Sequence, residues 1–181
     1  MSRAFPSPAS PTLSVVRLSA ARTIPLRHAV LWPDRPPAFV VLPEDGLPST
    51  IHLGLALASP SRVGSEPDRF EPVSILTLVP TQFPSPTSEL GSLRALRVRK
   101  FATALDYQGH GYGTQLLSAA FALADNDDGS GTEVELVWCD ARAEQERWYE
   151  RRGMRREGEP FEKEGRPYVR MVRRQLQPER A

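Results

Sequence analysis

Three glycines within five residues constrain this chain more than any other feature of its sequence. They lie between a segment with strand character, which ends near residue 105, and an apolar helical segment over residues 116–123. Glycine lets a backbone turn tightly and gather several N–H groups at the N-terminus of a helix. The pattern therefore predicts an anion-binding turn, for which phosphate is the usual ligand. The turn reads Gln108-Gly109-His110-Gly111-Tyr112-Gly113-Thr114.

Apolar periodicity places this turn in a chain of alternating elements. Strands are predicted over residues 13–18, 51–58, 73–79, 93–105, 133–139, 154–157 and 167–172, and helices over 23–31, 116–123 and 143–152. Thr23 is the predicted N-cap of the first helix, Pro25 lies in its first turn, and Gly153 ends the last helix. The order β-α-β-β-β-α-β-α-β-β predicts an α/β or α+β domain with a mixed sheet.

Composition and charge limit the function classes. The 181 residues suffice for one domain, predicted over residues 12–176 between a Pro/Ser-rich tail, 1–11, and a C-terminal tail, 177–181. A net charge of +1 gives no support for binding to nucleic acid or to a membrane surface. No apolar run approaches the ~20 residues that span a bilayer. The single cysteine, Cys139, excludes an internal disulfide and is typical of a reducing compartment.

The same composition predicts where the protein is located. A cytoplasmic protein is the expected class. The N-terminal segment carries Arg3, Arg17 and Arg22 among serines and has no acid before Asp34, as in mitochondrial transit peptides, although prolines interrupt any amphipathic helix there. Mitochondrial import therefore stays as a second alternative.

Several other chemistries use glycine turns or acidic loops. A dinucleotide-binding fold needs Gly-x-Gly-x-x-Gly in its first βαβ unit, whereas the spacing here is Gly-x-Gly-x-Gly and comes late in the chain. A P-loop needs Gly-Lys-Ser/Thr, which does not follow. A glycine turn without a ligand remains an alternative on the residues alone. No spacing indicates zinc, and residues 125–129 have Gly129 at the fifth position of a calcium loop, so they are interpreted as a solvated turn.

The wider sequence resembles one family. Gln108-x-x-Gly111-x-Gly113 resembles the Gln/Arg-x-x-Gly-x-Gly/Ala acetyl-CoA motif of the GNAT superfamily of N-acetyltransferases. Residues 93–103 and 148–154 lie where that family has its cofactor-side strand and its aromatic-Tyr-x-x-x-Gly helix end. A narrower group of small microbial members shares Leu26-Arg27-His28-Ala29-Val30-Leu31-Trp32-Pro33, Trp138-Cys139-Asp140-Ala141-Arg142 and Gly158-Glu159-Pro160-Phe161. The resemblance covers roughly residues 13–175.

The resemblance implies a mixed, splayed β-sheet of about seven strands flanked by helices, with acetyl-CoA as cosubstrate and no metal. Backbone N–H groups of the turn would hold the CoA pyrophosphate; the residues are Gln108, Gly109, His110, Gly111, Tyr112, Gly113 and Thr114. Main-chain groups of Phe101, Ala102 and Thr103 would pair with the pantetheine arm like an added strand, and Arg142 would hydrogen-bond the pantetheine or a phosphate. Tyr149 would be the general acid that protonates the departing CoA thiolate.

The implied acceptor is a small-molecule amine or a peptide amine. Candidate acceptor-pocket residues are Arg27, His28, His52, Cys139 and Tyr168, and the arginines indicate an anionic group on the acceptor. Arg142 stands where the broader family often has Asn. The narrower group commonly has a histidine at the start of its last strand, and its substrate role is here either missing or taken by Tyr168. A homodimer formed through the last strand stays open.

Two further interpretations remain. The chain could be a catalytically inactive acyl-CoA-binding or regulatory domain, although Tyr149 at its motif position favours an enzyme. Cys139 with His28, His52 or His110 could form a nucleophile–base pair, whereas a lone cysteine at the end of an apolar strand is typical of core packing. The arginines within residues 142–156 alternate with acids, which is typical of a solvated helix face.

Overall fold

The computed structural model describes residues 12–58, 71–84, 89–125 and 134–175. The two predicted tails, residues 1–11 and 177–181, lie outside the described residues, as does most of the predicted turn at 125–129. Within these ranges, no helix is long and apolar enough to cross a membrane.

Eight strands of the described chain form one mixed sheet. They are β1 (Thr12–Arg17), β2 (Ile51–Ala58), β3 (Pro72–Pro80), β4 (Ala95–Thr103), β5 (Leu136–Arg142), β6 (Arg155–Arg156), β7 (Phe161–Lys163) and β8 (Arg166–Arg174). The order across the sheet is β1-β2-β3-β4-β5-β8-β6, and β7 pairs with β8. All neighbours are antiparallel except β4 and β5, which are parallel. This confirms the predicted mixed α/β architecture, to which the three-residue β7 is an addition.

Three α-helices accompany the sheet in the described ranges: α1 (Ala20–Leu31), α2 (Tyr112–Asp125) and α3 (Glu146–Glu150). The predicted start of α1 is wrong. Ser19 precedes the helix, while Thr23 lies inside it and its hydroxyl donates to the Ala20 carbonyl at 2.7 Å. Pro25 therefore falls in the second turn, where it removes a helical N–H donor.

The main core lies between α2 and the central strands. One face of α2 is buried through Leu116, Leu117, Ala120, Phe121 and Ala124, and it packs against leucines and valines of β2, β3 and β4. In β5, Val137 and Cys139 join this core, while Leu136 and Trp138 join a second cluster with Phe83 and Leu90. Since alternate residues of a strand point to opposite faces, both faces of the sheet are covered at β5.

The sheet opens at its centre. Strands β4 and β5 pair through three residues each, Ala95–Arg97 with Leu136–Trp138, and diverge beyond them. The part of β4 that diverges from β5 contains a β-bulge on its other edge, towards β3. Ile75 pairs with Ala102 and Thr77 pairs with Arg99, so Leu76 lies opposite two residues, 100 and 101. Lys100 sits in this bulge with a φ of 49°. The divergence gives the splayed sheet that the sequence predicted.

Candidate active site

The divergence of β4 and β5 creates a cleft with a volume of about 980 Å³. Its walls come from β4, the glycine turn, the end of β5, α3 and two short 3-10 helices, Pro37–Val40 and Pro43–Gly46, with the residues that flank them. Of the residues predicted for the site, the cleft is lined by Phe101, Ala102, Thr103, Gln108, Gly109, Gly111, Tyr112, Gly113, Thr114, Cys139, Arg142, Tyr149 and Tyr168. The residues predicted to bind the acetyl donor and the predicted general acid, Tyr149, therefore line one continuous space.

Two glycines shape the turn at one end of this cleft. Gly109 and Gly111 have φ values of 77° and 81°, a left-handed conformation that side chains disfavour. A Cβ on either residue would meet no heavy atom within 4 Å, so both backbones face open space. The first helical bond of α2 runs from the Gln115 N–H to the Gly111 carbonyl at 3.0 Å. The amides of residues 112–114 consequently have no acceptor within the helix and can bind an anion.

Gly113 has a different reason to be glycine. A Cβ there would lie 3.3 Å from Thr103 Oγ1, which is a tight approach, and 3.5 Å from Phe101 Cζ, which is an ordinary contact. The absence of a side chain lets the first turn of α2 pack on the end of β4. The Gln108 side-chain amide also donates to the Thr103 carbonyl at 3.0 Å, and His110 Nδ1 lies 2.8 Å from the Gln108 carbonyl. These contacts hold the turn in place beside β4.

Tyr149 lies in the interior of the cleft. It is 9% exposed, its ring packs edge-to-face against Trp148 with centroids 4.9 Å apart, and its hydroxyl is hydrogen-bonded to Cys139. Burial raises the pKa of Tyr149 well above its usual range, and the neighbouring Cys139 adds to the increase. The phenol therefore keeps its proton at neutral pH, which is the state that a general acid needs.

Cys139 is a buried, neutral thiol. Burial raises the pKa of Cys139 to about 12, although the hydrogen bond from Tyr149 acts in the opposite direction. The three histidines have other partners: His28 bonds the Arg35 carbonyl, His110 bonds the Gln108 carbonyl, and His52 bonds Thr77. A nucleophile–base pair of Cys139 with a histidine does not form, and that interpretation is wrong for this structure.

Arg152 and Trp148 connect α3 to the start of α2. The Arg152 guanidinium donates to Thr114 Oγ1 at 2.7 and 2.9 Å and to the Trp148 carbonyl at 2.6 Å, and it lies 3.7 Å from the Trp148 ring centroid. The Trp148 ring also packs edge-to-face on Phe101. The interpretation of this arginine as part of a solvated face is therefore wrong. Arg152 instead fastens the helix of Tyr149 to the anion-binding turn.

Three predicted acceptor residues do not line the cleft. Arg27 is fully buried and donates to the Asp45 carboxylate at 2.7 and 2.9 Å, to Thr77 Oγ1 at 2.7 Å and to the Val40 carbonyl at 3.2 Å. His52 lies in the same cluster, with Nδ1 at 3.1 Å from Thr77 Oγ1. His28 is bonded to the Arg35 carbonyl at 2.6 Å. These placements do not support acceptor contacts by Arg27, His28 or His52, because none of the three lines the cleft and each is hydrogen-bonded to other parts of the protein.

The buried cluster instead fixes one wall of the cleft. Burial by itself raises the pKa of Asp45, but hydrogen bonds from the Arg27 guanidinium and from the Leu42 N–H outweigh it, so the pKa of Asp45 is lowered. The Arg27 guanidinium thereby links both 3-10 helices to β3, through the Val40 carbonyl, the Asp45 carboxylate and Thr77 Oγ1. Phe39 and Val41, which border the cleft, belong to this segment.

Several side chains that line the cleft away from the glycine turn were not predicted from the sequence. Lys100, Trp32 and Phe39 lie together there, and Lys163 joins the lining from β7. A single lysine or tryptophan in an apolar segment gives no pattern, so the proximity of these residues follows from the fold alone. In the ranges that the structure describes, no three His, Cys, Asp or Glu side chains are grouped so that they could hold a metal ion.

Comparisons with known proteins agree with this architecture. Residues 89–175 match the family model described as an acetyltransferase (GNAT) domain. A search of the curated proteins finds no match.

Solved structures show the same fold over nearly the whole chain. One is a presumed N-acetyltransferase from Lactobacillus plantarum, with 22% identity, coverage of 91% of this chain and 99% of that chain, and a TM-score of 0.66. Another is the GNAT family N-acetyltransferase YhbS from Escherichia coli in complex with CoA, with 16% identity, 94% and 85% coverage, and a TM-score of 0.63. A third is FeeM, an N-acyl amino acid synthase from uncultured soil microbes, with 11% identity, 91% and 92% coverage, and a TM-score of 0.59.

The chain therefore shares the fold of these solved structures. The GNAT acetyltransferase model matches a little under half of the chain, and this match supports acyl transfer in general.

Proposed function

We propose that the protein is an acetyl-CoA-dependent N-acetyltransferase that transfers the acetyl group directly to an amine. The observation that carries the proposal is the position of Tyr149. Its protonated phenol lines the same cleft as the anion-binding turn, so the groups that would bind a phosphorylated donor and protonate its leaving group share one space.

The cleft suits CoA in size and in its donor groups. About 980 Å³ lies at the upper end of the range for small-molecule sites. The free amides at the start of α2 would bind the pyrophosphate, and Gly109 and Gly111 leave room for it. Beyond Arg97 the edge of β4 that faces β5 is unpaired, so main-chain groups of Phe101 and Ala102 would pair with the pantetheine arm. The Thr103 carbonyl already accepts the Gln108 amide, which makes Thr103 a weaker candidate.

Acetyl-CoA supplies the thioester: the acceptor nitrogen forms the new C–N bond, the C–S bond breaks, and the sulfur leaves as a thiolate. Tyr149 provides the proton for that sulfur, because burial keeps the proton on its phenolic oxygen. A thiolate released among buried groups is poorly solvated and therefore more basic than in water, which favours the transfer. The acceptor nitrogen gives its proton to a base, for which we propose a water molecule in the cleft.

The test measures acceptor-dependent release of the CoA thiol from acetyl-CoA, with amines, amino acids, polyamines and peptide N-termini as acceptors. Tyr149→Phe is expected to lower kcat by about 100-fold or more, with little change in CoA affinity, because the phenol acts on the leaving group alone. Tyr107→Phe is the control, since Tyr107 lines the cleft but is more than a third exposed.

Two outcomes would contradict the proposal. Unchanged kcat in Tyr149→Phe would remove the assigned acid. CoA binding without turnover for any acceptor, with acetyl-CoA or with longer acyl-CoA donors, would establish the alternative of a catalytically inactive acyl-CoA-binding domain.

A further inference from the structure

One end of the cleft carries positive charge that the protein does not neutralise. Lys100, half-buried in the bulge of β4, has its Nζ 3.9 Å from the centroid of the Trp32 ring and 5.9 Å from that of Phe39. Arg142, at the end of β5, and Lys163, in β7, line the same cleft. Throughout the described part of the chain, no carboxylate lies within the 4.0 Å of an ion pair from any of these three cations.

Neighbouring cations behave differently. Arg97 is paired with Asp140, Arg99 with Glu44 at 2.8 Å, and Arg27 with Asp45 at 2.7 Å. Each of these acids lies beside the arginine that it neutralises. Arg152, which also lines the cleft, has no carboxylate partner, but its guanidinium donates to Thr114 and to the Trp148 carbonyl. Lys100, Arg142 and Lys163 have no carboxylate partner in a cleft that could hold a ligand.

The surroundings of Lys100 leave its ammonium group in need of an anion. Burial lowers the pKa of Lys100 to about 8, and Arg99, Arg27 and Lys163 act in the same direction, while Glu164 opposes them. At neutral pH the group is still mainly protonated, but it is poorly solvated, and Glu164, which lines the same cleft, lies beyond ion-pair distance from it. A carboxylate at this position would form a charge-assisted hydrogen bond with it.

The space beside Lys100 is partly apolar. The Trp32 and Phe39 rings pack edge-to-face there with centroids 5.6 Å apart, and Phe39 is 40% exposed. A side pocket of about 330 Å³ adjoins the cleft and shares Trp32, Arg142, Lys163, Glu164 and Tyr168 with it, but Lys100 and Phe39 do not line that pocket. The two aromatic rings beside the ammonium group suit a molecule that carries an apolar side chain next to a carboxylate.

Building on the proposed acetyl transfer, we infer that the acceptor is a small amine that also carries a carboxylate: an amino acid or a close analogue. Its carboxylate binds Lys100, with Arg142 and Lys163 nearby, and its apolar side chain contacts Trp32 and Phe39. The same three cations repel the ammonium groups of a polyamine, so polyamines are poor acceptors.

A matched pair of acceptors tests the inference. Phenylalanine and phenylalaninamide share the amine and the side chain, but the amide lacks the carboxylate. At saturating acetyl-CoA, kcat/KM for phenylalanine is expected to exceed that for the amide by about 10-fold or more, the size expected for one charge-assisted hydrogen bond. Spermidine is expected to be poorer than both.

Variants of Lys100 assign the preference to this side chain. Lys100→Met is expected to raise KM for phenylalanine about 10-fold and to leave KM for acetyl-CoA, and turnover of the amide, within about twofold. Lys100→Arg keeps the charge and is expected to keep most of the preference. Both replacements are unbranched, so neither adds to the strain of the positive φ at this residue.

A binding measurement gives a second readout. In calorimetry with CoA bound, wild type should bind N-acetylphenylalanine more tightly than N-acetylphenylalaninamide. Lys100→Met should bind the two compounds with equal affinity.

The outcomes separate the two proposals. Acetylation of phenylalaninamide or spermidine as efficiently as phenylalanine would overturn the inference and leave acetyl transfer intact, as would a preference unchanged in Lys100→Met. CoA binding with no turnover of any acceptor would overturn the proposed function and this inference together.

Discussion

The two ends of the cleft are built in different ways. The donor end consists largely of backbone: two glycines with positive φ, the first amides of α2 and the unpaired edge of β4. The other end consists of side chains from segments far apart in the sequence, namely Trp32, Phe39, Lys100, Arg142 and Lys163. A site made of backbone needs few residue types at fixed spacing, whereas a site made of side chains can be assembled from many sequences. Substitutions of side chains at the other end can therefore change which acceptor binds without changing which donor binds.

Replacing Arg27 tests whether its cluster only supports the acceptor end. Arg27→Met leaves the Asp45 carboxylate buried without its partner, so the free energy of unfolding should fall by about 3–5 kcal/mol in urea denaturation. Arg17→Met, on an exposed side chain of β1, should stay within about 0.5 kcal/mol of wild type.

The same variant sharpens the comparison when it is assayed in its folded state. We expect the acceptor KM to rise and the CoA affinity to stay close to wild type, because the Arg27 cluster holds the 3-10 helices and lies away from the glycine turn. An equal weakening of acceptor binding and of CoA binding would show that the two ends of the cleft are not independent.

A bulky side chain on the glycine turn should remove the donor end. Gly111→Trp places a side chain on a residue with a left-handed backbone conformation and fills the space where phosphates would lie. We therefore expect CoA affinity to fall by about 100-fold or more. The melting-temperature increase produced by CoA in wild type should disappear.

Gly158→Trp is the matched control for this change. Gly158 has a φ of 76° and open space around its Cβ position, but it does not line the cleft. It therefore carries the same backbone strain and should keep the response to CoA. Equal responses in the two variants would argue against phosphate binding at the turn.

The pH dependence of stability should reveal the Asp45 ion pair. The pKa of Asp45 is below its ordinary 3.8 in the folded protein, so the folded state binds fewer protons than the unfolded state as pH falls through this region. The contribution is complete above the unfolded value and is lost as pH drops through the folded value. Asp45→Asn should therefore be less stable than wild type at pH 7, with a difference that shrinks below pH 4. A constant difference in urea midpoints from pH 7 to pH 3 would contradict this.

The smallest effect is expected at Cys139. Because the thiol is buried and its pKa is about 12, it is neutral and unsuited to nucleophilic attack. Cys139→Ala should keep turnover within about threefold of wild type, since Tyr149 retains its proton without this partner. Mass spectrometry after incubation with acetyl-CoA should find no acetylated cysteine in wild type. A loss of activity comparable to that of Tyr149→Phe would restore a chemical role for the thiol.

The sequence predicted the sheet and the donor end better than the acceptor end, for physical reasons. Apolar alternation predicted seven strands, but β7 is too short to show a period. Arg27 stood in a family-like motif and was expected at the acceptor, yet Asp45, eighteen residues away, neutralises it inside the protein. Lys100 gave no signal, because its exposure to the cleft depends on the bulge and on the divergence of β4 from β5.

The short pairing between β4 and β5 has a mechanical consequence. Three residue pairs join strands β1–β4 to strands β5–β8, so the two halves of the sheet are connected along a short length of β4 and β5. A molecule bound in the gap would contact both halves and restrain their relative motion. We expect it to slow hydrogen exchange at those amides of residues 98–102 and 139–142 that point into the gap and away from β3 and β8. Acetyl-CoA would then be a reactant and, while it is bound, would also stabilise the sheet.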